Sequence, residues 1–224
     1  MKRLTILLCL AALAVAGSAH AQQPTTLTLP TGARWDTAGQ LALLNRNTSN
    51  LSRWNHWYSA PAVDGTAGRY WTPHFKTEFE IGTAGAGTID GEDETPVPGL
   101  SASFPRYREH TLRESTFGAT AVYQFFDNQW VHPFVGAGAE LVRERHTADA
   151  LPAQTLRLST TVPNQTQPAL PAIDSVSYSV RPLFTGGFKF YVSPRAFARM
   201  EVRTAFSADR PLALQWRGGV GFDF

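Results

Sequence analysis

The chain has almost no cysteine, and its single cysteine lies in a segment that we expect to be removed. The N-terminus carries Lys2 and Arg3, then an apolar run, then small residues ending at 19–21, which is the order of a cleaved signal peptide. Cys9 lies inside that run. The sequence therefore predicts cleavage after Ala21, and the mature chain, without cysteine, has neither a disulfide framework nor thiol catalysis.

The chain also lacks an excess of charge of either sign. It has 20 basic and 18 acidic side chains, and the loss of Lys2 and Arg3 with the signal peptide leaves 18 of each. Binding to nucleic acid needs a basic patch or stripe, whereas these charges are interspersed. We therefore expect no nucleic-acid partner.

No second long apolar run follows the signal peptide. A membrane-spanning helix needs about 20 consecutive apolar residues. Because only helices and closed barrels satisfy every backbone group in lipid, any spanning structure of the mature chain has to be a β-barrel.

What the mature chain does have is alternation with a period of two residues, the pattern of a strand with one apolar and one polar face. It is clearest at the C-terminus, and 175–191 and 195–206 repeat it. In the last strand the apolar face consists of Leu212, Leu214, Trp216, Gly218, Val220, Phe222 and Phe224.

An internal repeat predicts where the strands turn. Residues 70–80 resemble residues 191–201, which places Thr72-Pro73 and Ser193-Pro194 at equivalent positions. Proline favours turns over central strands. Both dipeptides are therefore predicted to be tight turns, and Asp127-Asn128 is a third.

The pattern predicts eight strands, near 35–45, 60–71, 74–84, 109–126, 130–145, 175–191, 195–206 and 210–224. The short turns alternate with long polar connections at 46–59, 85–108 and 146–174, as in bacterial barrels with short periplasmic turns and long outer loops. We expect an all-β, eight-stranded antiparallel up-and-down transmembrane β-barrel over 35–224, preceded by a short periplasmic segment at 22–34.

With these features the chain resembles the OmpA/OmpX-like small barrels of the outer membrane protein β-barrel domain family. The resemblance rests on His132-Pro133-Phe134-Val135-Gly136-Ala137-Gly138-Ala139, on the turn and strand at 191–203, and on the alternating aromatic end of the chain. It implies an outer-membrane location after secretion to the periplasm. Because the sequence ends at Phe224, we expect no peptidoglycan-binding domain after the barrel.

The same resemblance implies partners. It implies contact with outer-membrane lipid and lipopolysaccharide, and recognition by the outer-membrane assembly machinery. The C-terminal pattern is similar to the signal that this machinery reads, here Trp216, Val220, Phe222 and Phe224. We expect a monomer without cofactor or metal.

The polar faces of the predicted strands supply a set of charged side chains for the barrel interior. An eight-stranded barrel is just wide enough to be filled by its own side chains, so charges of both signs inside it are expected to pair and to close the lumen. The predicted interior network consists of Lys76, Glu78, Glu80, Glu140, Arg181, Lys189, Arg199, Glu201, Arg203 and Arg217. Glycines on the same faces, at 136, 138, 187, 219 and 221, are expected to make room for the long arginine and lysine stems.

The leading interpretation is a non-enzymatic barrel with a structural or surface-interaction role. A narrow porin-like channel is the first alternative, and a soluble lipocalin-like barrel, with its apolar face turned inward around a ligand, is another. An outer-membrane lipid-modifying enzyme would need a catalytic histidine on the outer wall. None is predicted among His56, His74, His110, His132 and His146.

The acidic run at 90–94 is expected to be a solvated outer loop. Its spacing does not match a Ca²⁺-binding loop, which needs acidic residues at alternate positions and a distant glutamate. No metal site is therefore predicted there.

Overall fold

The computed structural model describes residues 34–48, 57–97, 103–125, 130–157, 164–206 and 211–224. Residues 1–33, which include the predicted signal peptide and most of the predicted periplasmic segment, lie outside the described residues. No helix in the described ranges is long and apolar enough to cross a membrane. The strands are β1 (Trp35–Asn47), β2 (Trp57–Tyr70), β3 (Phe75–Ala84), β4 (Gly87–Pro96), β5 (Ser103–Gln124), β6 (Val131–Ala148), β7 (Gln154–Leu156), β8 (Gln165–Gln167), β9 (Ile173–Tyr191), β10 (Ala196–Phe206) and β11 (Pro211–Asp223).

Eight of these strands form a closed antiparallel barrel. The order is β3-β2-β1-β11-β10-β9-β6-β5, and β3 pairs with β5 to close the ring. The first and last strands form the seam, where Asp36 lies opposite Asp223 and Arg46 opposite Ala213. The predicted fold and strand number are confirmed.

The two turns of the internal repeat have the same hydrogen bonds. In the first, the amides of Trp71 and Thr72 both donate to the carbonyl of Phe75, at 2.9 and 3.2 Å. In the second, the amides of Val192 and Ser193 donate to the carbonyl of Ala196, also at 2.9 and 3.2 Å. The turn predicted at 127–128 lies outside the described residues.

The segment 85–108 is not the long loop that we predicted. It contains β4, which pairs along its whole length with the first half of β5. Three residues lie between Thr83 and Gly87, but only two lie between their partners Ser115 and Leu112, so one extra residue forms a bulge between β3 and β4. The acidic run at 90–94 is therefore part of a strand. Its low intrinsic strand propensity concealed this, since cross-strand contacts decide strand formation more than composition does.

The other long connections are also partly strands. β6 and β9 stay paired out to Ala148 and Ile173, and a small hairpin of β7 and β8 lies between them. β1 continues to Asn47 and β2 starts at Trp57, so both enter the predicted loop at 46–59. These continued strands form a sheet extension beyond the end of the barrel that lies opposite the two short turns. The extension consists of β4, the first half of β5, the end of β6 and the start of β9.

The two faces of the barrel wall have opposite character. Ile81, Val180, Met200 and Val220 are each more than 60% exposed on the outer face. Buried charged side chains lie next to them on the same strands: Glu80 beside Ile81, Arg181 beside Val180 and Glu201 beside Met200. A lipocalin-like barrel has the reverse arrangement, so the structure contradicts that alternative.

Tryptophans mark the ends of the outer apolar belt. Trp35, Trp71 and Trp130 lie at the end with the short turns and Trp57 lies at the opposite end, all of them exposed. Indole rings prefer the membrane–water interface, so this placement fits a barrel embedded in lipid. Trp216 lies within β11, and Trp54 lies outside the described residues.

Candidate functional site

The barrel interior holds all ten residues that the sequence assigned to an interior network. Each is buried, and each forms at least one ion pair. The ion pairs fall into three groups along the barrel axis, described below from the periplasmic turns upward.

The periplasmic group is built on two lysines. Lys189 Nζ lies 3.1 Å from Asp36 Oδ2 and 2.7 Å from Asp223 Oδ1, and it donates to the Tyr70 hydroxyl at 2.9 Å. Lys76 Nζ lies 2.6 Å from the same Asp36 oxygen. Phe197 packs beneath Lys189, with its ring centre 3.7 Å from the ammonium. Both lysine charges are thus fully paired at this end of the lumen.

The central group is a chain of arginines and glutamates that crosses the lumen. Arg199 bridges Glu78 at 2.8 Å and Glu201 at 2.5 Å. Arg217 then joins Glu201, at 2.6 Å, to Glu80, at 2.5 Å.

Two further residues continue the central group toward the extracellular side. Arg203 pairs with both Glu80 and Glu140, so the chain of ion pairs links β3, β6, β10 and β11 around the axis. A cavity of only about 20 Å³ lies beside Glu140 and Arg203, enough for about one water molecule. Above it pack the apolar side chains of Leu44 and Leu183.

The extracellular group closes the lumen a second time. Arg46 pairs with Glu114, and also with Glu144 at 2.5 Å. Arg181 lies 3.4 Å from Glu114 and 3.6 Å from Glu144. Two arginines and two glutamates therefore form a compact square of alternating charge.

Several partners in these groups were missed by the sequence analysis. Asp36, Asp64 and Asp223 on β1, β2 and β11, together with Arg46 and Glu114, supply charges that the predicted network lacked. The sequence did contain a signal for these residues. Each lies an even number of residues from another inward-facing residue of the same strand, and residues at even spacing share a face. This signal was obscured on β1 and β2, where small side chains weaken the pattern.

The glycines of the inner face have a different role from the predicted one. A Cβ on Gly138 would lie 2.0 Å from the carbonyl oxygen of Ala119, and one on Gly187 would lie 2.2 Å from that of Met200. At Gly138, Gly187 and Gly219 the nearest obstacle is the backbone of a neighbouring strand, and at Gly136 and Gly221 it is a threonine or phenylalanine side chain. At none of the five is it an arginine or lysine stem. These glycines allow close approach of adjacent strands in a narrow barrel.

A pair of histidines lies in the sheet extension, above the three groups. His110 Nδ1 and His146 Nε2 are 2.8 Å apart, so one ring donates its N–H to the other. Asp93, 3.5 Å from His110, faces them, and Arg108, 2.5 Å from Asp93, joins the cluster. The sequence analysis placed His110 at the start of the predicted strand 109–126 and His146 just beyond the predicted strand 130–145. It did not predict that the two rings meet, because the register of β5 with β6 cannot be read from either strand alone.

Burial lowers the pKa of both histidines from the ordinary value of 6.5, and the positive charge of Arg108 acts in the same direction. Asp93 and Glu144 oppose the shift, and Arg46 adds to it at His146. Both groups lie outside the membrane-spanning part of the barrel. The paired rings are therefore held in their neutral forms.

The extension is expected to loosen as the pH falls below about 6.5, because the unfolded segment then binds protons that the folded histidine pair resists. Above that pH both histidines are neutral in the folded and in the unfolded segment, so their contribution to the stability of the extension is fully present. Hydrogen exchange of the amides in 103–114, measured between pH 7.5 and pH 5, should show increasing opening. The double variant H110Q/H146Q serves as the control, and an unchanged pH dependence in it would contradict the assignment.

The four residues of the predicted assembly signal lie on the outer face of β11. Trp216 and Val220 are 56% and 70% exposed, and Phe222 and Phe224 follow on the same face. The backbone of Phe224 also completes the seam, since its amide donates to the carbonyl of Trp35 at 2.9 Å and its carbonyl accepts from the amide of Trp35 at 3.0 Å.

The structure offers little support for metal or acyl-transfer chemistry. Among the described residues, no group of three or more histidine, cysteine, aspartate or glutamate side chains is arranged to hold a metal ion. The histidines on described strands, His110, His132 and His146, all point inward, away from the wall where a lipid-modifying site would lie. His74 lies in a turn and contacts the carbonyl of Gln124 at 3.0 Å.

No protein-family model matches the chain, and no curated protein matches it. Solved structures do resemble it. Neisserial surface protein A (NspA) is 15% identical with a TM-score of 0.51, and the match covers 86% of this chain and 99% of that one. The outer membrane protein OprG from Pseudomonas aeruginosa is 9% identical with a TM-score of 0.48, over 86% and 96% of the two chains. The N-terminal β-barrel domain of Pseudomonas aeruginosa OprF is 14% identical with a TM-score of 0.42, over 84% and 97%.

At these identities the likeness concerns the fold. The exposed apolar belt around a closed barrel independently fits a barrel embedded in a membrane. The chain has the fold of the small eight-stranded outer-membrane β-barrels.

Proposed function

We propose that this protein is a non-enzymatic integral outer-membrane barrel with a closed lumen, which contributes to envelope integrity or presents its extracellular sheet extension to the surroundings. The observation that carries the proposal is the filling of the interior by three groups of ion pairs. Charged side chains of both signs that pair across the axis occupy the space that a water-filled channel needs.

Conductance tests this proposal directly. The refolded protein, reconstituted in planar lipid bilayers, is expected to show no stable porin-sized current, and at most small and intermittent openings. A large steady conductance from the unmodified protein would instead favour the porin-like alternative, because a permanent aqueous path cannot coexist with the paired interior.

We further propose that the outward aromatic face of β11 is read by the outer-membrane assembly machinery. Deletion of Phe224, or the change Phe224→Asp, is expected to cause accumulation in the periplasm, measured by fractionation and surface proteolysis. Phe206→Asp is the matched control, because Phe206 lies on the same outer wall but at the extracellular end of β10. Normal outer-membrane yield of the Phe224 variants would contradict the role in assembly.

A further inference from the structure

Three arginines form a cluster on the outer wall of the barrel, at the extracellular end of the apolar belt. Arg113 of β5 lies directly opposite Arg145 of β6, and Arg143 of β6 lies opposite Ser115. All three arginines are exposed and point outward. Below them on the same outer faces lie apolar residues of the belt: Phe117 is four residues from Arg113, and Leu141 is two residues from Arg143. The cluster therefore lies at the depth of the outer-leaflet headgroups.

The positive charge of this cluster is only partly neutralised by the protein. Arg145 forms a bidentate ion pair with Asp174, at 2.9 and 2.8 Å. Within the part of the chain that the structure describes, neither Arg113 nor Arg143 forms an ion pair. Like charges placed opposite each other in a sheet are unfavourable unless an anion lies between them. The arrangement is that of an anion-binding surface.

Two cavities on the outer wall adjoin at this cluster. The upper one has a volume of about 450 Å³ and is lined by all three arginines and by Glu114, whose carboxylate is paired with Arg46 and Arg181. The lower one has a volume of about 620 Å³ and is mainly apolar, with Val63, Ile81, Phe117, Leu141 and Tyr178 in its wall. Thr83, Ser115 and Arg143 line both cavities. The arginine-lined upper cavity therefore opens directly into the lower apolar cavity, which we call the groove.

Gly65 leaves the lower groove open on one side. It lies on the outer face of β2, and a Cβ there would only just touch Ile81, at 4.0 Å. A larger side chain at this position would enter the groove without meeting backbone. The groove thus has a position, Gly65, at which it can be filled by mutation.

We propose that this surface is a specific binding site for a phosphorylated, acylated glycolipid of the outer leaflet, of the lipid A type. Its phosphate lies on the guanidinium groups of Arg113 and Arg143, and one acyl chain lies in the groove beneath. Arginine pairs with phosphate in bidentate geometry, and the groove adds an apolar contact that free phosphate lacks. The inference rests on the proposed membrane location, and it goes beyond general contact with lipid by naming a site.

Native mass spectrometry of the refolded full-length mature protein tests the headgroup contact. The probes are bis-phosphorylated lipid A, its dephosphorylated form and inorganic phosphate, each added to the protein in detergent. The unmodified protein is expected to retain the phosphorylated lipid in preference to both other probes. The double variant R113Q/R143Q is expected to bind it at least about tenfold more weakly, the effect of losing charge-assisted hydrogen bonds.

The matched control for the headgroup contact is Arg69→Gln. Arg69 also points outward, but at the periplasmic end of the belt, where it lies over the rings of Trp71 and Trp35, at 4.4 and 5.6 Å. It is expected to leave lipid retention unchanged. Equal retention by R113Q/R143Q and the unmodified protein, or equal retention of dephosphorylated lipid, would overturn the proposal.

A second pair of variants tests the acyl groove. Gly65→Phe is expected to reduce retention of the phosphorylated lipid severalfold by filling the groove. Gly218→Phe introduces the same ring on the outer face of β11, where a Cβ meets nothing within 4 Å, and it is expected to have no effect. Similar retention by the two variants would exclude the groove as part of the site.

The heat-dependent electrophoretic mobility of each variant shows separately whether the barrel has folded. A folded, membrane-inserted barrel that does not discriminate between the lipids would overturn the lipid site and leave the proposed function intact. Failure of the unmodified protein to insert into lipid would overturn both.

Discussion

Replacing Glu80 with alanine is expected to lower the free energy of unfolding by about 3–5 kcal/mol, because it leaves buried positive charge without its partner. Glu80 is bound to both Arg203 and Arg217, and all three side chains are buried. Urea unfolding in lipid vesicles, followed by tryptophan fluorescence, measures the change. Glu109→Ala is the matched control, since Glu109 is exposed on the outside of the sheet extension and should cost little.

The same network can be tested for its role as a plug. Removal of Arg199, Glu201 and Arg217 together, each replaced by alanine, is expected to open a conducting path at some cost in stability. Single-channel recording should then show openings that the unmodified protein lacks. The interpretation would be contradicted if the triple variant stayed closed and Glu80→Ala were as stable as Glu109→Ala. The ion pairs would then neither stabilise the barrel nor block its lumen.

The second large effect is expected on the outer wall. Val202 lies at the middle of β10 on the lipid-facing side, and Val202→Arg is expected to destabilise the barrel by about 2–4 kcal/mol near the bilayer midplane. Phe188 and Val220, both exposed on neighbouring strands, are expected to show the same sign of effect. The cause is the desolvation of a guanidinium in hydrocarbon.

Ala196→Arg is the matched control for depth. Ala196 lies on the same strand and the same face, but at the first residue of β10 beside the periplasmic turn, where an arginine costs only about 0–1 kcal/mol. Both variants are compared by urea unfolding in the same vesicles. Equal costs at the two depths would mean that this face does not lie in hydrocarbon.

The alternation in the sequence was sufficient to predict the barrel and the two faces of its wall. A period of two is a local property, because successive side chains of a strand point to opposite sides whatever the strand pairs with. The ten interior residues could therefore be named in advance, and they lie buried in the lumen. The turns at 72–73 and 193–194 were predicted for the same reason, since proline restricts its own backbone.

Pairing between distant strands could not be predicted in this way. Glu78 and Arg199 are 121 residues apart in sequence, and only the closed barrel places Nη1 of Arg199 2.8 Å from Glu78. Asp36 and Asp64 escaped notice because β1 and β2 have small side chains that blur the alternation. A residue's face is set locally, whereas its partner is set by the register of the whole ring.

What the sequence alone determined is the eight strands, their faces and the charged character of the interior; the signal peptide stays a prediction. Only the tertiary structure decided that 87–96 extends β3 beyond a bulge, that His110 meets His146, and that Arg113, Arg143 and Arg145 converge on the outer wall. Each of these depends on the register of β5 with its neighbours. Register is a cooperative property of cross-strand packing, and residues far apart in sequence contribute to it at once.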